Sequence, residues 1–198
     1  MFQEAERVHA IADALPYQGE WYDTEYLILL RLCGNRMVEL ADGRIEVLPH
    51  PTEPHHRVFG NLIASPECGF RKQKGLIIAP FAVRLGPRRF RMPDVSILLT
   101  DRSKRQHEWY RDGADLVLEV VSDSDPKRDW VTKKAEYAAA GIPEYWIADP
   151  RDKTLTIFTL DPGATEYREA GRYAEGETAK SVLLDGLTAD VTAVFAAE

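Results

Sequence analysis

Cysteine is scarce: Cys33 and Cys68 are the only two among 198 residues. Two thiols can build neither a disulfide framework nor a four-thiolate zinc site, so an ordinary apolar core must hold the fold. No run approaches the roughly 18 apolar residues that cross a bilayer, which argues against a membrane partner. The opening stretch MFQEAERVHAIADALP mixes acids and bases and has no apolar segment followed by a small-residue cleavage site. It does not read as a signal peptide, and the expected location is cytoplasmic. Repeats, low-complexity tracts and long linkers are missing, so residues 1–198 are expected to form a single domain, with 1–19 as a helical lead-in. The P-loop, GxSxG and GxGxxG patterns are also missing, which argues against ATP-driven and serine-hydrolase chemistry.

What is present fits a soluble globular domain: 44% of residues are hydrophobic and 29% charged. A formal net charge of −7 argues against a protein that coats nucleic acid. The charge is unevenly placed, however. Residues 71–105 hold Arg71, Lys72, Lys74, Arg84, Arg88, Arg89, Arg91, Arg102, Lys104 and Arg105 against Asp94 and Asp101, a segment of +8 beside a remainder of −15. Such asymmetry suits a phosphate-binding face on an acidic body. It also suits arginines that solvate strand edges and pair with acids elsewhere.

Periodicity and turn residues predict a mixed α/β domain around a central sheet. DTEYLILLRLCG reads as a helix capped by Asp23 or Thr24, and MVELADGRIEVL as a hairpin about Asp42-Gly43. A second helix is expected to begin near Glu53 or Pro54, with His55 in its first turn. LIIAPFAVRL, RRFRMPDVSILL, ADLVLEVVS, EYWIADP and KTLTIFTL read as strands, and DWVTKKAEYAAAG as a helix. EYREAGRYA is expected to form an edge hairpin and SVLLDGL a closing strand. Tyr145, Trp146, Trp130 and Tyr137 read as core, and Trp109-Tyr110 as exposed residues near a partner.

Two carboxylates stand where strands should be apolar. Glu119 interrupts LVLEVV, and Asp94 opens the strand VSILL after Pro93. A buried carboxylate is costly unless it is paired or holds a metal, and two oxygen donors on neighbouring strands suit Mg²⁺. Each has an ordinary reading as well: Asp94 as a turn residue, Glu119 as the partner of an arginine. The next helix offers Lys133 and Lys134 as a cation near an attacked phosphate. Lys133 shares a helix face with Asp129 and Tyr137, and Lys134 shares one with Trp130 and Ala138. Ser122 could bind a phosphate or simply begin the SDSDP turn.

PDVSIL, LVLEVVSDSD and KRDWVTKKAEYAAAGIPEYWIADP, in that order and with VELADGRIEV and PTEPHHRV before them, resemble the Uma-type putative restriction endonuclease family. That family belongs to the PD-(D/E)XK nuclease superfamily, and the resemblance covers roughly residues 20–185. It implies a central mixed sheet flanked by helices, a restriction-endonuclease-like fold. It further implies metal-dependent phosphodiester hydrolysis in DNA, with Mg²⁺, or Mn²⁺ as a substitute, held by Asp94 and Glu119. Glu39 and His55 match additional positions near the site; for His55, capping or core packing is an equal alternative. The superfamily lysine two residues after the second acid is replaced here by Val121. The resemblance places it instead on the following helix, at Lys133. Arg84, Arg88, Arg89 and Arg91 would then hold the nucleic-acid backbone. The alternative is a catalytically inactive nucleic-acid-binding module on a nuclease scaffold, which the Val121 substitution motivates. A homodimer is compatible with cutting two strands, since two sites are needed and closed symmetry is common.

Overall fold

The computed structural model describes residues 15–33, 37–64, 76–99 and 102–197. Most of the expected lead-in, Cys68, and Arg71, Lys72, Lys74 and Asp101 lie outside the described residues. In chain order the elements are α1 (Asp23–Leu32), β1 (Val38–Ala41), β2 (Arg44–Val47), α2 (Glu53–Ala64), β3 (Leu76–Ile78), β4 (Val83–Gly86), β5 (Arg89–Arg91), β6 (Val95–Leu98), α3 (Arg102–Arg105), β7 (Arg111–Asp112) and β8 (Leu116–Val120). A π-helical turn (Arg128–Lys133) then runs into α4 (Lys134–Ala139), followed by β9 (Glu144–Asp149), β10 (Thr154–Thr159), β11 (Arg168–Tyr173), β12 (Thr178–Lys180), β13 (Thr188–Asp190) and α5 (Val191–Val194).

The fold is mixed α/β. A six-stranded sheet runs β11-β10-β9-β8-β6-β3, antiparallel except for the parallel β8–β9 pair. A second sheet runs β2-β1-β5-β4-β7, and β12–β13 form a small ribbon. Two apolar runs that read as continuous strands are therefore broken between sheets. Within LIIAPFAVRL, β3 joins the six-stranded sheet and β4 the five-stranded one. RRFRMPDVSILL divides in the same way at Met92–Asp94, around Pro93, which has no N–H to give a ladder. EYREAGRYA is a single edge strand rather than a hairpin, and SVLLDGL is a turn region between β12 and β13 rather than a strand.

The hairpin forms as its turn chemistry demands. Asp42 and Gly43 both take positive φ, 50° and 77°, which a two-residue hairpin loop matched to strand twist needs. The central strand β8 is buried throughout, and its alternation sorts two cores. Leu116, Leu118 and Val120 pack with Val58 and Leu62 of α2, while Val117 and Val121 pack with Tyr137, Tyr145 and Ile147. Glu119 has the parity of the second set. A parallel pair requires a crossover connection, and residues 121–143 supply it as the π turn and α4. Tyr137, fully buried in that core, seats the crossover over the face of β8 that carries Glu119.

Candidate active site

The register of β6 and β8 decides where the two strand carboxylates meet. Val95 pairs with Leu118, so one step further Asp94 stands opposite Glu119. Residues directly opposed across antiparallel strands have Cβ atoms about 5 Å apart on one face. Both side chains line a cleft of about 580 Å³, together with His55, Arg128, Asp129 and Lys133. Asp94 Oδ2 accepts the Val120 N–H at 2.7 Å and lies 3.1 Å from His55 Nε2. His55 reaches it from the first turn of α2, and its Nδ1 is buried without a hydrogen-bond partner among the described residues. Burial works against a proton on His55, but the hydrogen bond and charge of Asp94, with Asp129 behind, raise its pKa.

Glu119 is held from the crossover. Tyr137 donates its hydroxyl to Oε1 at 2.5 Å, and Lys133 Nζ lies 2.9 Å from Oε2. The same Nζ is 3.2 Å from Asp129 Oδ1. Lys133 is 5% exposed, and although burial disfavours its charge, Glu119, Glu39 and Asp129 hold it protonated. Burial, aided by the charges of Asp129 and Asp94, pushes the Glu119 carboxyl above its ordinary range despite Lys133. Asp129 is raised by burial too. Glu119 and Asp129 thus share one lysine, with Asp94 close by. Lys134, the other candidate, turns away: its Nζ lies 3.8 Å from the centre of the Phe158 ring. Val121, at the usual lysine position of the superfamily, is buried in the Tyr137 core, so a lysine there would bury its stem and charge among apolar side chains.

Glu39 is fully buried beside this group and does not line the cleft. Its Oε1 accepts the Met92 N–H at 2.8 Å, and its Oε2 takes Arg91 at 2.7 Å and Arg128 at 2.6 Å. Burial alone would push this carboxyl up; Lys133, Arg91, Arg128 and the Met92 amide overcome it and bring the pKa down to about 2.

The four arginines of the expected basic face all have partners within the chain. Arg91 is 2% exposed and bound to Glu39, Glu46 and Glu136, so it cannot reach a phosphate. Arg84 pairs with Asp23 at 2.8 Å and faces Asp112 at 3.6 Å. Arg88 donates to the carbonyls of Trp21 and Gly19 and lies over the Tyr22 ring, and Arg89 pairs with Asp42. Asp23 also accepts the Arg88 N–H, which ties α1 to the β4–β5 turn. These arginines fasten the five-stranded sheet together. Trp109 is 37% exposed, but Tyr110 packs edge-on to Phe90 and stacks on His107.

Residues 24–192 match the model of the Uma2 family, whose description is "Putative restriction endonuclease". The chain belongs to this family. Among solved structures, the crystal structure of a putative nuclease belonging to DUF820 from Anabaena variabilis ATCC 29413 superposes with a TM-score of 0.57. It is 15% identical, over 80% of this chain and 89% of that one, a likeness of fold. No curated protein matches the chain. Within this Uma2 domain, three side chains of the site were not singled out from sequence: Asp129, Arg128 and Tyr137 as a partner of Glu119. The signal for Asp129 was its i,i+4 spacing from Lys133, and for Tyr137 the same spacing on the other side. Arg128 carried none, because its partners Glu39 and Glu46 are more than 80 residues away.

Proposed function

We propose that this Uma2 domain is a divalent-metal-dependent endonuclease that hydrolyses phosphodiester bonds in DNA, with Asp94 and Glu119 holding the metal and Lys133 acting on the phosphate. The observation that carries the reading is the opposition of Asp94 and Glu119 across β6 and β8 in a cleft that also receives a buried lysine. The cleft is lined by five carboxylates, Asp94, Glu119, Asp123, Asp125 and Asp129, against the cations Arg128 and Lys133. Both cations are already paired, so a polyanion meets a repulsive site until a cation enters it. Hard carboxylate oxygens suit Mg²⁺ or Mn²⁺. Among the described residues no group of three or more His, Cys, Asp or Glu is placed to hold a metal, so the proposed ligands are the two strand carboxylates alone.

Asp94 and Glu119 would hold such an ion, which would supply polarisation of a phosphate oxygen and a water of lowered pKa. The chain's own residues do the positioning. His55 and the Val120 N–H fix Asp94, and Tyr137 fixes Glu119. Lys133, kept protonated at the cleft wall, would offset the negative charge that develops on the oxygens of the pentacoordinate phosphorus.

The test is incubation of the purified protein with plasmid and single-stranded DNA in Mg²⁺ or Mn²⁺. Cleavage is expected, with at least a hundredfold loss in Glu119→Gln and in Asp94→Asn variants that keep the parent circular dichroism spectrum. Cleavage that persists unchanged in both variants overturns the site.

A further inference from the structure

The acid-lined cleft does not end at the carboxylates. It opens into a second chamber of about 390 Å³, the two sharing Met37, Val47, Leu48, Pro49, His50, Pro51, His55 and Asp94. The wall of this chamber is mostly apolar: Val47, Leu48, Pro49 and Pro51, which also line the cleft, are joined here by Phe59 and Pro80, with no lysine or arginine among the described residues that line it. Val47, at the end of β2, is 65% exposed. His50 and His56 supply polar atoms at the margin.

From this we infer that the chamber receives an unstacked nucleobase next to the scissile phosphate, so that the substrate is single-stranded or locally unpaired nucleic acid rather than intact duplex. The inference rests on the nuclease reading and narrows its substrate.

Two physical arguments select a base over a backbone. A duplex is held mainly through its phosphates, each neutralised by a free lysine or arginine. In the described part of this cleft the cations are spent: Arg128 on Glu39 and Glu46, Lys133 on Glu119 and Asp129. A single strand has another source of affinity, the burial of base faces against flat or apolar side chains. The chamber offers such a surface, of a size that takes a small ligand, and it is continuous with the carboxylate cleft through His55 and Asp94. Chemistry on a nucleotide drawn out of the stack costs least where the strand is already unpaired. An acidic cleft with an apolar annex admits one strand with its base turned inward; its described residues give a duplex no track of positive charge.

The experiment compares matched single-stranded and duplex oligonucleotides with the full chain in Mg²⁺ and Mn²⁺, together with a single strand carrying one abasic nucleotide. The single strand should be cut at least about tenfold faster than the duplex, and cuts beside the abasic position should fall by a similar factor while cuts elsewhere on that strand persist. Val47→Asn, an exposed substitution, should raise KM for the single strand several-fold. Equal cutting of duplex and single strand, or undiminished cutting beside the abasic position, overturns the inference and leaves the nuclease reading intact. Should no substrate be cut under either metal, the nuclease reading falls. The inference is then decided by binding of the same oligonucleotides followed by fluorescence anisotropy. Single-strand affinity about tenfold above duplex and weakened by Val47→Asn upholds it; equal affinities overturn it.

Discussion

Lys133 carries its charge into a place where a lysine would ordinarily be expelled, and the two carboxylates that keep it there are kept there by it. Replacing it with methionine leaves Glu119 and Asp129 buried without a counter-charge. Removing one partner of a buried pair costs about 3–5 kcal/mol. Lys133→Met is therefore expected to lower the urea midpoint sharply as well as to abolish cleavage, whereas Lys134→Met should change neither by much. Glu39 gives a prediction with a defined pH window. Its carboxyl is lowered from 4.5 to about 2. A lowered folded-state pKa gives stability that is fully present above the unfolded value and lost as pH falls towards the folded one. The shift corresponds to about 3 kcal/mol. Glu39→Gln should be less stable than the parent by an amount that is constant above about pH 5 and shrinks as pH falls towards 2. Urea unfolding of both proteins across that range measures it; a difference that stays constant down to pH 2 removes Glu39 as the source. At this scale Asp94 and Glu119 were legible in the sequence, because a carboxylate among Val and Leu is an anomaly that physics must compensate. The fate of Arg84, Arg88, Arg89 and Arg91 was not. Their partners Asp23, Glu39, Glu46 and Glu136 lie 45 to 65 positions away, and nothing local announces such a pairing.

Among the elements, the π turn decides which side chains of the crossover meet the cleft. Arg128 and Asp129 both lie in it, as does Lys133, and all three point into the acidic group. π turns are rare single-turn insertions within α-helices and occur often at functional sites. Thr132 is exposed and touches none of these partners. Deleting it would turn Arg128 and Asp129 about 100° relative to Lys133, taking Arg128 off Glu39 and Asp129 off Lys133. The expected result is a folded protein with a lowered Tm and cleavage reduced at least a hundredfold; undiminished cleavage shows the turn to be incidental. The helices around residues 23–32, 53–64 and 128–139 could be read from periodicity, and the hairpin from Asp42-Gly43. The break of two apolar runs into different sheets could not, since β3 and β4 have the same local character and only long-range pairing assigns them. Nor does periodicity distinguish a π turn from an α turn.

For the molecule as a whole, the net charge of −7 describes neither a phosphate-binding protein nor its opposite, because what matters is which charges are free. In the cation-rich segment Arg84, Arg88, Arg89, Arg91 and Arg105 are engaged in holding sheets and loops, while carboxylates collect in the cleft. An arrangement of that kind stores repulsion in the folded state, and a divalent cation bound there should relieve it. A ligand that binds only the folded state stabilises by mass action, by about 2.7 kcal/mol at a hundredfold excess over its dissociation constant. Millimolar Mg²⁺ or Mn²⁺ should therefore raise Tm by several degrees, an effect that requires no substrate and no turnover. Asp94→Asn should remove the rise, since it takes away one of the two proposed ligands. Calorimetry of both proteins with and without metal separates the cases. A rise of equal size in both places the cation elsewhere on the surface. A rise confined to the parent places it at the pair of strands where the chain has set two carboxylates side by side.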